Sequence, residues 1–283
     1  MTLDHETLRG RITPFFMYGT AWKEEDTARC VRDALAAGFR AIDTANQRKH
    51  YHEAGVGEAL RDAFAGGLAR EDVFLQTKFT YRRGQDHRLP YDPDASPATR
   101  LRQSFVSSLD HLGVELLDSY VLHGPAGGPG LLDVDREVWR AMEALHDEGR
   151  VGVLGVSNVS PRHLRELLDF AATPPTFVQN RCYASRGWDR AVREICRTNG
   201  ITFQGFSLLT ANRNLPAAPA FQELARARGQ TAPQLIFSFA LAVGMLPLTG
   251  TTDPAHMRED LAIFEATPLT DAEIRLLESL GEA

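Results

Sequence analysis

Five short apolar runs in this chain each end on a polar side chain that can move a proton or hold a ligand. Asp43-Thr44 closes the run Ala41–Asp43, Lys78 closes Val73–Lys78, and His123 closes Leu117–His123. Ser157-Asn158 and Gln179-Asn180 end two further runs in the same way. One such residue means little, because a lysine at the end of a strand usually just reaches solvent. Five in succession are hard to explain by packing, since each buried polar group must find a partner. Asp43, Lys78 and His123 make a chemically useful set. A buried Lys⁺–Asp⁻ pair can hold positive charge beside a tyrosine hydroxyl, favour the phenolate and lower the phenol's pKa from about 10. Such a tyrosine can give a proton to a carbonyl oxygen as hydride arrives at carbon, with His123 hydrogen-bonding the same oxygen. The competing reading is an ion pair that only closes the core, because structural pairs perturb pKa as well.

These residues need a scaffold that brings strand ends together. Eight runs read as strands: Phe15–Gly19, Ala41–Asp43, Val73–Lys78, Leu117–His123, Val153–Ser157, Phe177–Gln179, Thr202–Phe206 and Met245–Gly250. Most are continuously apolar, as parallel strands covered on both faces are. Helical patterns lie between them at Asp26–Ala37, Glu53–Ala65, Pro97–Leu112, Arg136–Glu148, Pro161–Phe170, Trp188–Thr198 and Ala232–Ala242. Ser96-Pro97 and Ser160-Pro161 place a capping residue before a proline at the first helical position. Gly38, Gly113, Gly149 and Gly200 mark helix ends. The alternation predicts one α/β domain over residues 1–283, a closed (β/α)8 TIM barrel whose active site lies at the C-terminal ends of the strands. An open doubly wound sheet would carry G-x-G-x-x-G after its first strand, where this chain reads GTAWKEED. The Gly55-Val56-Gly57 pair reads as a close-packing turn.

Composition narrows the function further. The 283 residues carry a formal net charge of −6, which argues against a surface that neutralises nucleic-acid phosphates. Cys30, Cys182 and Cys196 are too few and too scattered for a disulfide framework or a zinc site, and a reducing cytoplasm fits them. No segment reads as a signal peptide or a membrane span; Leu235–Leu248 reads as a buried helix running into a strand. His50, His52 and Glu53 fit no metal spacing, so no metal is expected, and no serine sits in a nucleophile elbow.

Taken together, the segments resemble the aldo-keto reductase superfamily over almost the whole chain, from Tyr18-Gly19-Thr20 to Phe264. GFRAIDTA (Gly38–Ala45) followed by GVGEAL (Gly55–Leu60) is similar to the family's second strand, active-site loop and helix. LQTKF (Leu75–Phe79), LLDSYVLHGP (Leu116–Pro125), VGVLGVSN (Val151–Asn158) and FVQN (Phe177–Asn180) follow in the family's order and spacing. The resemblance implies a catalytic tetrad of Asp43, Tyr51, Lys78 and His123, and a nicotinamide cofactor. Asp43, Ser157, Asn158 and Gln179 would line the nicotinamide end, with the carboxamide held by the last three, and Phe206 would stack on the ring. Gly19 and Thr20, together with Ser207 and Leu209 in the loop SLLTANRN, would contact the rest of the cofactor. The implied chemistry is direct transfer of the pro-R hydride, without metal or covalent intermediate.

Three departures from the family pattern matter. The family places its tyrosine five residues after the aspartate, where this chain has Arg48; Tyr51, the only tyrosine of that loop, takes the role in a stretch, DTANQRKHYHEAGVG, that carries an apparent two-residue insertion overall. The last barrel segment, LTGTTDPAHMRED, has Gly250 where a lysine commonly pairs with a 2′-phosphate. It resembles a glycine-led subgroup that includes potassium-channel β-subunits. Thr251, Thr252 and the helix after Pro254 would then meet phosphate, His256 and Arg258 the adenosine phosphate, and Glu259 and Asp260 the adenine. NADPH is expected, with NADH still possible. Third, the long C-terminal loop of many mammalian members is missing. Compensation is expected from Arg82–Ser96, long enough for a functional loop, with Tyr81, Tyr91 and Trp22 joining Tyr51 and His123 as the substrate walls. The glycine-rich Gly124–Asp133 reads as a mobile lid.

The expected protein is therefore a cytoplasmic carbonyl reductase acting on a small molecule, a monomer or weak homo-oligomer with neither nucleic-acid nor membrane partners. The alternative is a cofactor-binding regulatory or partner protein of the same fold. A Schiff-base enzyme using Lys78 ranks last.

Overall fold

The computed structural model describes residues 7, 8, 11, 12 and 15–281. Thr7–Leu8 and Arg11–Ile12 pair as a short antiparallel ribbon. Beyond it, eight parallel strands close a barrel in chain order: β1 (Met17–Gly19), β2 (Ala41–Asp43), β3 (Phe74–Phe79), β4 (Leu117–Leu122), β5 (Val151–Ser157), β6 (Phe177–Arg181), β7 (Thr202–Phe206) and β8 (Met245–Thr249). β8 returns to β1 through Leu248 opposite Met17, so no strand edge is left open. All eight strand expectations hold, and the barrel is the predicted TIM barrel.

The helices are α1 (Thr27–Ala37), α2 (Glu53–Ala65), α3 (Pro97–Leu112), α4 (Asp133–Asp147), α5 (Pro161–Phe170), α6 (Arg190–Thr198), α7 (Pro219–Arg228), α8 (Ala232–Ala242), α9 (Pro254–Leu261) and α10 (Asp271–Leu280). Ser96 and Ser160 cap α3 and α5 as expected, accepting from the backbone N–H of Thr99 and His163. α4 starts earlier than its apolar period suggests, because Asp135 accepts from the N–H of Leu132 and stabilises the first turn. α6 starts later, because Gly187, Trp188 and Asp189 all hold left-handed backbone that a helix excludes. α7 and α10 lie outside the predicted helix series. Among the described residues no helix is long and apolar enough to cross a membrane, and all three cysteines are free and buried.

Side chains alternate between the barrel interior and the helix layer. The outward set, with Tyr18, Leu75, Tyr120 and Leu154, packs beneath the helices. Gly57 makes the closest helix approach: a Cβ there would stand 2.0 Å from the carbonyl oxygen of His111 in α3. The close-packing reading of the glycine pair is therefore correct at this position.

Candidate active site

The barrel interior changes chemistry layer by layer. Its floor is apolar, with Met17, Ala41, Phe74, Val153, Phe177 and Leu246 in one cluster. Two residues further along β3 the inward side chain is Gln76, and two further it is Lys78, both fully buried. Gln76 and Gln204 of β7 face each other amide to amide: Gln76 Nε2 donates to Gln204 Oε1 at 2.9 Å, and Gln204 Nε2 donates back to Gln76 Oε1 at 3.1 Å. Ser119 donates to Gln76 Oε1 as well. From this layer Gln76 Nε2 reaches Asp43 Oδ1 at 2.7 Å, and Gln179 Nε2 reaches the same oxygen at 3.1 Å.

Above the amides, Lys78 Nζ contacts both oxygens of Asp43 at 2.7 Å and the carbonyl of Thr44 at 2.8 Å. An ammonium has three N–H groups, so these three acceptors match its donor capacity. Burial lowers the Lys78 pKa, and the Asp43 carboxylate opposes that shift. The Tyr51 ring lies 5.3 Å from Lys78 Nζ and 5.8 Å, edge-on, from the His123 ring. The turn that presents it is closed by the Tyr51 N–H donating to the carbonyl of Gln47 at 2.9 Å. The sequence expectation of a lowered phenol pKa is corrected: burial, and after it the Asp43 charge, holds the Tyr51 pKa well above its ordinary value. Lys78 is matched by a carboxylate and so offers Tyr51 little net positive field. Tyr51 is a neutral phenol, which is the protonation state of a proton donor.

His123 pairs through Nδ1 with Thr80 Oγ1 at 2.7 Å, and Tyr91 donates to the Thr80 carbonyl at 2.9 Å. Burial, then the charge of Lys78, pushes the His123 pKa down to about 3, so the imidazole is neutral. Ser157 Oγ donates to the Gln179 carbonyl at 2.6 Å, while Asn158 Nδ2 donates to the His123 carbonyl at 2.7 Å and to Ser157 Oγ at 3.0 Å. Asn158 and Ser207 both have left-handed φ, as do Trp22, Glu24, Trp188 and Asp189. All six lie in loops after strand C-terminal ends, where strained backbone accompanies function.

The tetrad residues, Ser157, Asn158 and Gln179 thus come together. Gly19 and Thr20 lie beside them, with Thr20 Oγ1 donating to the Asp43 carbonyl at 3.0 Å. Phe206, Ser207 and Leu209 are half-buried at the end of β7. Gly250 carries an unforeseen neighbour: Lys23 is buried, and its ammonium donates to the Gly250 carbonyl at 2.9 Å. Burial lowers the Lys23 pKa to about 8. Tyr18 donates to the Thr251 carbonyl at 2.8 Å and pins the same loop. Thr252, His256, Arg258 and Glu259 are exposed around the start of α9.

Two expectations fail on burial. Asp260 is not presented to a ligand: its Oδ2 accepts from Thr249 Oγ1 at 2.7 Å beneath α9, because the residue falls on the inner face of that helix. Tyr91 is only 6% exposed and packs on Phe79, so it braces Thr80 and is not a substrate wall. Tyr81 commits its hydroxyl to Asp135 Oδ1 at 2.9 Å. Trp22, at 71% exposure, stands free at the rim with its ring against His50. The Arg82–Ser96 segment clamps the Tyr51 loop. Gln85 donates to the Asn46 carbonyl at 2.7 Å, Gln47 to the Gly84 carbonyl at 2.7 Å, and Arg88 to the Arg48 carbonyl at 3.2 Å. The glycine-rich segment Gly124–Asp133 is pinned near both ends, by Arg83 on the Pro125 carbonyl and by Glu166 accepting from the Leu131 N–H. Gln76, Gln204, Ser119, Thr80 and Lys23 were missed by sequence reasoning. Period-two alternation back from Lys78 points to Gln76; no sequence signal brings Lys23 to Gly250.

The site offers a neutral phenol and a neutral imidazole over a lysine–aspartate pair, an aromatic ring at the end of β7, and cations along the β8–α9 loop. This donor set suits a small carbonyl next to a ligand with an amide head and a phosphate tail. The family model described as Aldo/keto reductase family matches residues 15–282. An aldo-keto reductase of Mycobacterium sp. (strain JLS) is 31% identical over 260 residues, covering 92% of this chain and 86% of its own. Among solved structures, an aldo/keto reductase from Brucella melitensis has a TM-score of 0.81 at 26% identity, covering 96% of both chains. An aldo-keto reductase of Bombyx mori, solved in complex with NADP, has a TM-score of 0.79 at 21% identity over 96% of this chain and 90% of its own.

Proposed function

Because the chain belongs to the aldo/keto reductase family, we propose that it reduces a small aldehyde or ketone with NADPH, Tyr51 giving the proton to the carbonyl oxygen. The observation that carries this reading is the Tyr51 ring packed between Lys78 at 5.3 Å and His123 at 5.8 Å. Bound reduced nicotinamide supplies a hydride at its ring carbon. The remaining work belongs to the chain. Tyr51, neutral and desolvated, donates its proton as charge develops on the carbonyl oxygen. His123, neutral and oriented by Thr80, hydrogen-bonds that oxygen. Lys78 lies 5.3 Å from the ring of the phenol that gives up the proton, and Asp43 keeps Lys78 in place.

Ser157, Asn158 and Gln179 would hold the carboxamide and Phe206 would face the ring. Lys23, the Thr251–Thr252 segment, His256 and Arg258 would meet the phosphates. Cations beside the β8–α9 loop favour NADPH over NADH. This reading is supported by the NADP bound to the Bombyx mori protein.

The test is NADPH oxidation, followed by absorbance, against aldehydes, dicarbonyls, sugars and ketones, with NADH in parallel. Tyr51→Phe is expected to lower turnover about a thousandfold, the scale of a lost general acid, with NADPH affinity unchanged. A Tyr51→Phe protein that keeps most of its activity overturns the assignment. Tight NADPH binding with no substrate turned over would instead point to a binding or regulatory protein.

A further inference from the structure

Gln179 uses both N–H groups of its amide inside the barrel. One goes to Asp43 Oδ1 at 3.1 Å and the other to Gln204 Oε1 at 2.9 Å. The amide oxygen is therefore the only hydrogen-bonding function left to the Gln179 side chain. Two acceptors keep the amide this way round, the Asp43 carboxylate and Gln204 Oε1, and the Gln204 amide is itself locked by two hydrogen bonds with Gln76. Gln204 Oε1 accepts from Gln76 and from Gln179 at once. Were the Gln179 amide turned over, its oxygen would face the Asp43 carboxylate and Gln204 Oε1, two acceptors with no proton to give. Buried amides facing acceptors in this way lose their hydrogen bonds and repel.

We propose that Gln204, paired amide to amide with Gln76, is a positioning residue that together with Asp43 fixes the orientation of Gln179, so that Gln179 offers the carboxamide seat a hydrogen-bond acceptor and no donor. The seat then selects a ligand head group that carries an N–H. A nicotinamide carboxamide has one; an acetyl group in its place does not. The same Gln179 amide touches Asp43, so the seat and the lysine–aspartate pair share one rigid layer. Gln76, Gln204 and Ser119 are all fully buried, and none touches the space above Lys78 except through Gln179 or Asp43. Their effect on the reaction passes through those two side chains.

This inference rests on the nicotinamide reading above, and the experiment separates the two. Dissociation constants for NADPH and for its 3-acetylpyridine analogue are measured by protein fluorescence quenching in the wild type, Gln204→Met and Gln204→Glu. The wild type is expected to prefer NADPH by about tenfold, the scale of one neutral hydrogen bond left unmade. Gln204→Met removes one of the two acceptors that orient the Gln179 amide and leaves Asp43, and the preference falls to about threefold. Gln204→Glu retains an acceptor for Gln179 and restores the preference, although its added charge beside Asp43 slows turnover. Gln76→Met serves as a second variant should Gln204→Met not fold; it leaves the acceptor on Gln204 and is expected to keep more than half of the preference.

If the wild type binds neither compound, the nicotinamide reading itself fails. If it binds both equally, or if Gln204→Met keeps the full preference, the cofactor reading stands and the orienting role is refuted. A loss of preference in Gln204→Glu as large as in Gln204→Met would also refute it, since a residue that only fills space makes no use of an acceptor.

Discussion

Asp260→Asn gives a stability change whose size and pH dependence follow from the structure. The Asp260 carboxyl is buried under α9 with Thr249 Oγ1 at 2.7 Å. Burial pushes its pKa up to about 6 from an ordinary 3.8. A carboxyl with a raised folded-state pKa stabilises the fold fully below its unfolded pKa and loses that contribution as pH rises through the folded value. Its ionisation in the folded protein therefore costs about 3 kcal/mol at neutral pH. Asparagine keeps an oxygen for Thr249 and carries no charge. The variant should gain stability by about 1.5 kcal/mol at pH 5 and about 3 kcal/mol at pH 8. For a chain of this length the larger gain raises the melting temperature by on the order of 5 °C. Urea unfolding of both proteins across this pH range, followed by circular dichroism, measures the difference directly. A gain that does not grow with pH, or a loss at pH 8, refutes the buried-carboxyl argument. Unchanged NADPH affinity in the same variant is expected, because Asp260 does not face the ligand; a large loss of affinity would return it to the adenine site.

Two further predictions concern a glycine and a histidine. Gly57→Ala is expected to destabilise the fold by about 2–3 kcal/mol, since its Cβ would stand 2.0 Å from the His111 carbonyl and backbone must move; wild-type stability in urea would show that α2 and α3 are not so close. His123, with its pKa down at about 3, should show no ring titration between about pH 5 and pH 8 by NMR. Because its folded pKa is lowered, the stability it contributes is present above the ordinary histidine pKa and drains away as pH falls toward the folded value. A titration midpoint near the ordinary value would refute the neutral-imidazole assignment.

Much of this architecture was legible because its signals are local. Each barrel strand is a short apolar run, and Asp43, Lys78 and His123 interrupt that apolarity where the chain leaves the barrel. Ser-Pro pairs likewise mark helix starts from adjacent residues alone. What escaped depends on distance or on facing. Lys23 meets Gly250 across 227 positions, and only barrel closure between β8 and β1 makes them neighbours. Gln76 and Gln204 read as polar interruptions of apolar strands, and their meaning appears only when opposite walls of the barrel face each other. Asp260 and Tyr91 were misplaced because a polar or amphipathic residue in a loop-rich segment carries no mark of whether it faces in or out. α10 begins with a capping box from Thr270 and Glu273, a signal as local as the Ser-Pro pairs.

The clamp between the Arg82–Ser96 segment and the Tyr51 turn makes that segment and the proposed acid one mechanical part. Three side-chain hydrogen bonds to backbone carbonyls, from the Gln85 and Gln47 amides and the Arg88 guanidinium, join them. A change of substrate range reached by lengthening or replacing that segment would shift the phenol with it, and would lose turnover before it gained specificity. Trp22 and the glycine-rich segment after His123 are tied to the same parts, Trp22 by its N–H on the His50 carbonyl at 2.7 Å and the glycine-rich segment by Arg83 on the Pro125 carbonyl. Variation in substrate preference is therefore most accessible through side-chain changes that leave loop lengths alone, so that the lining can drift while Tyr51 stays still.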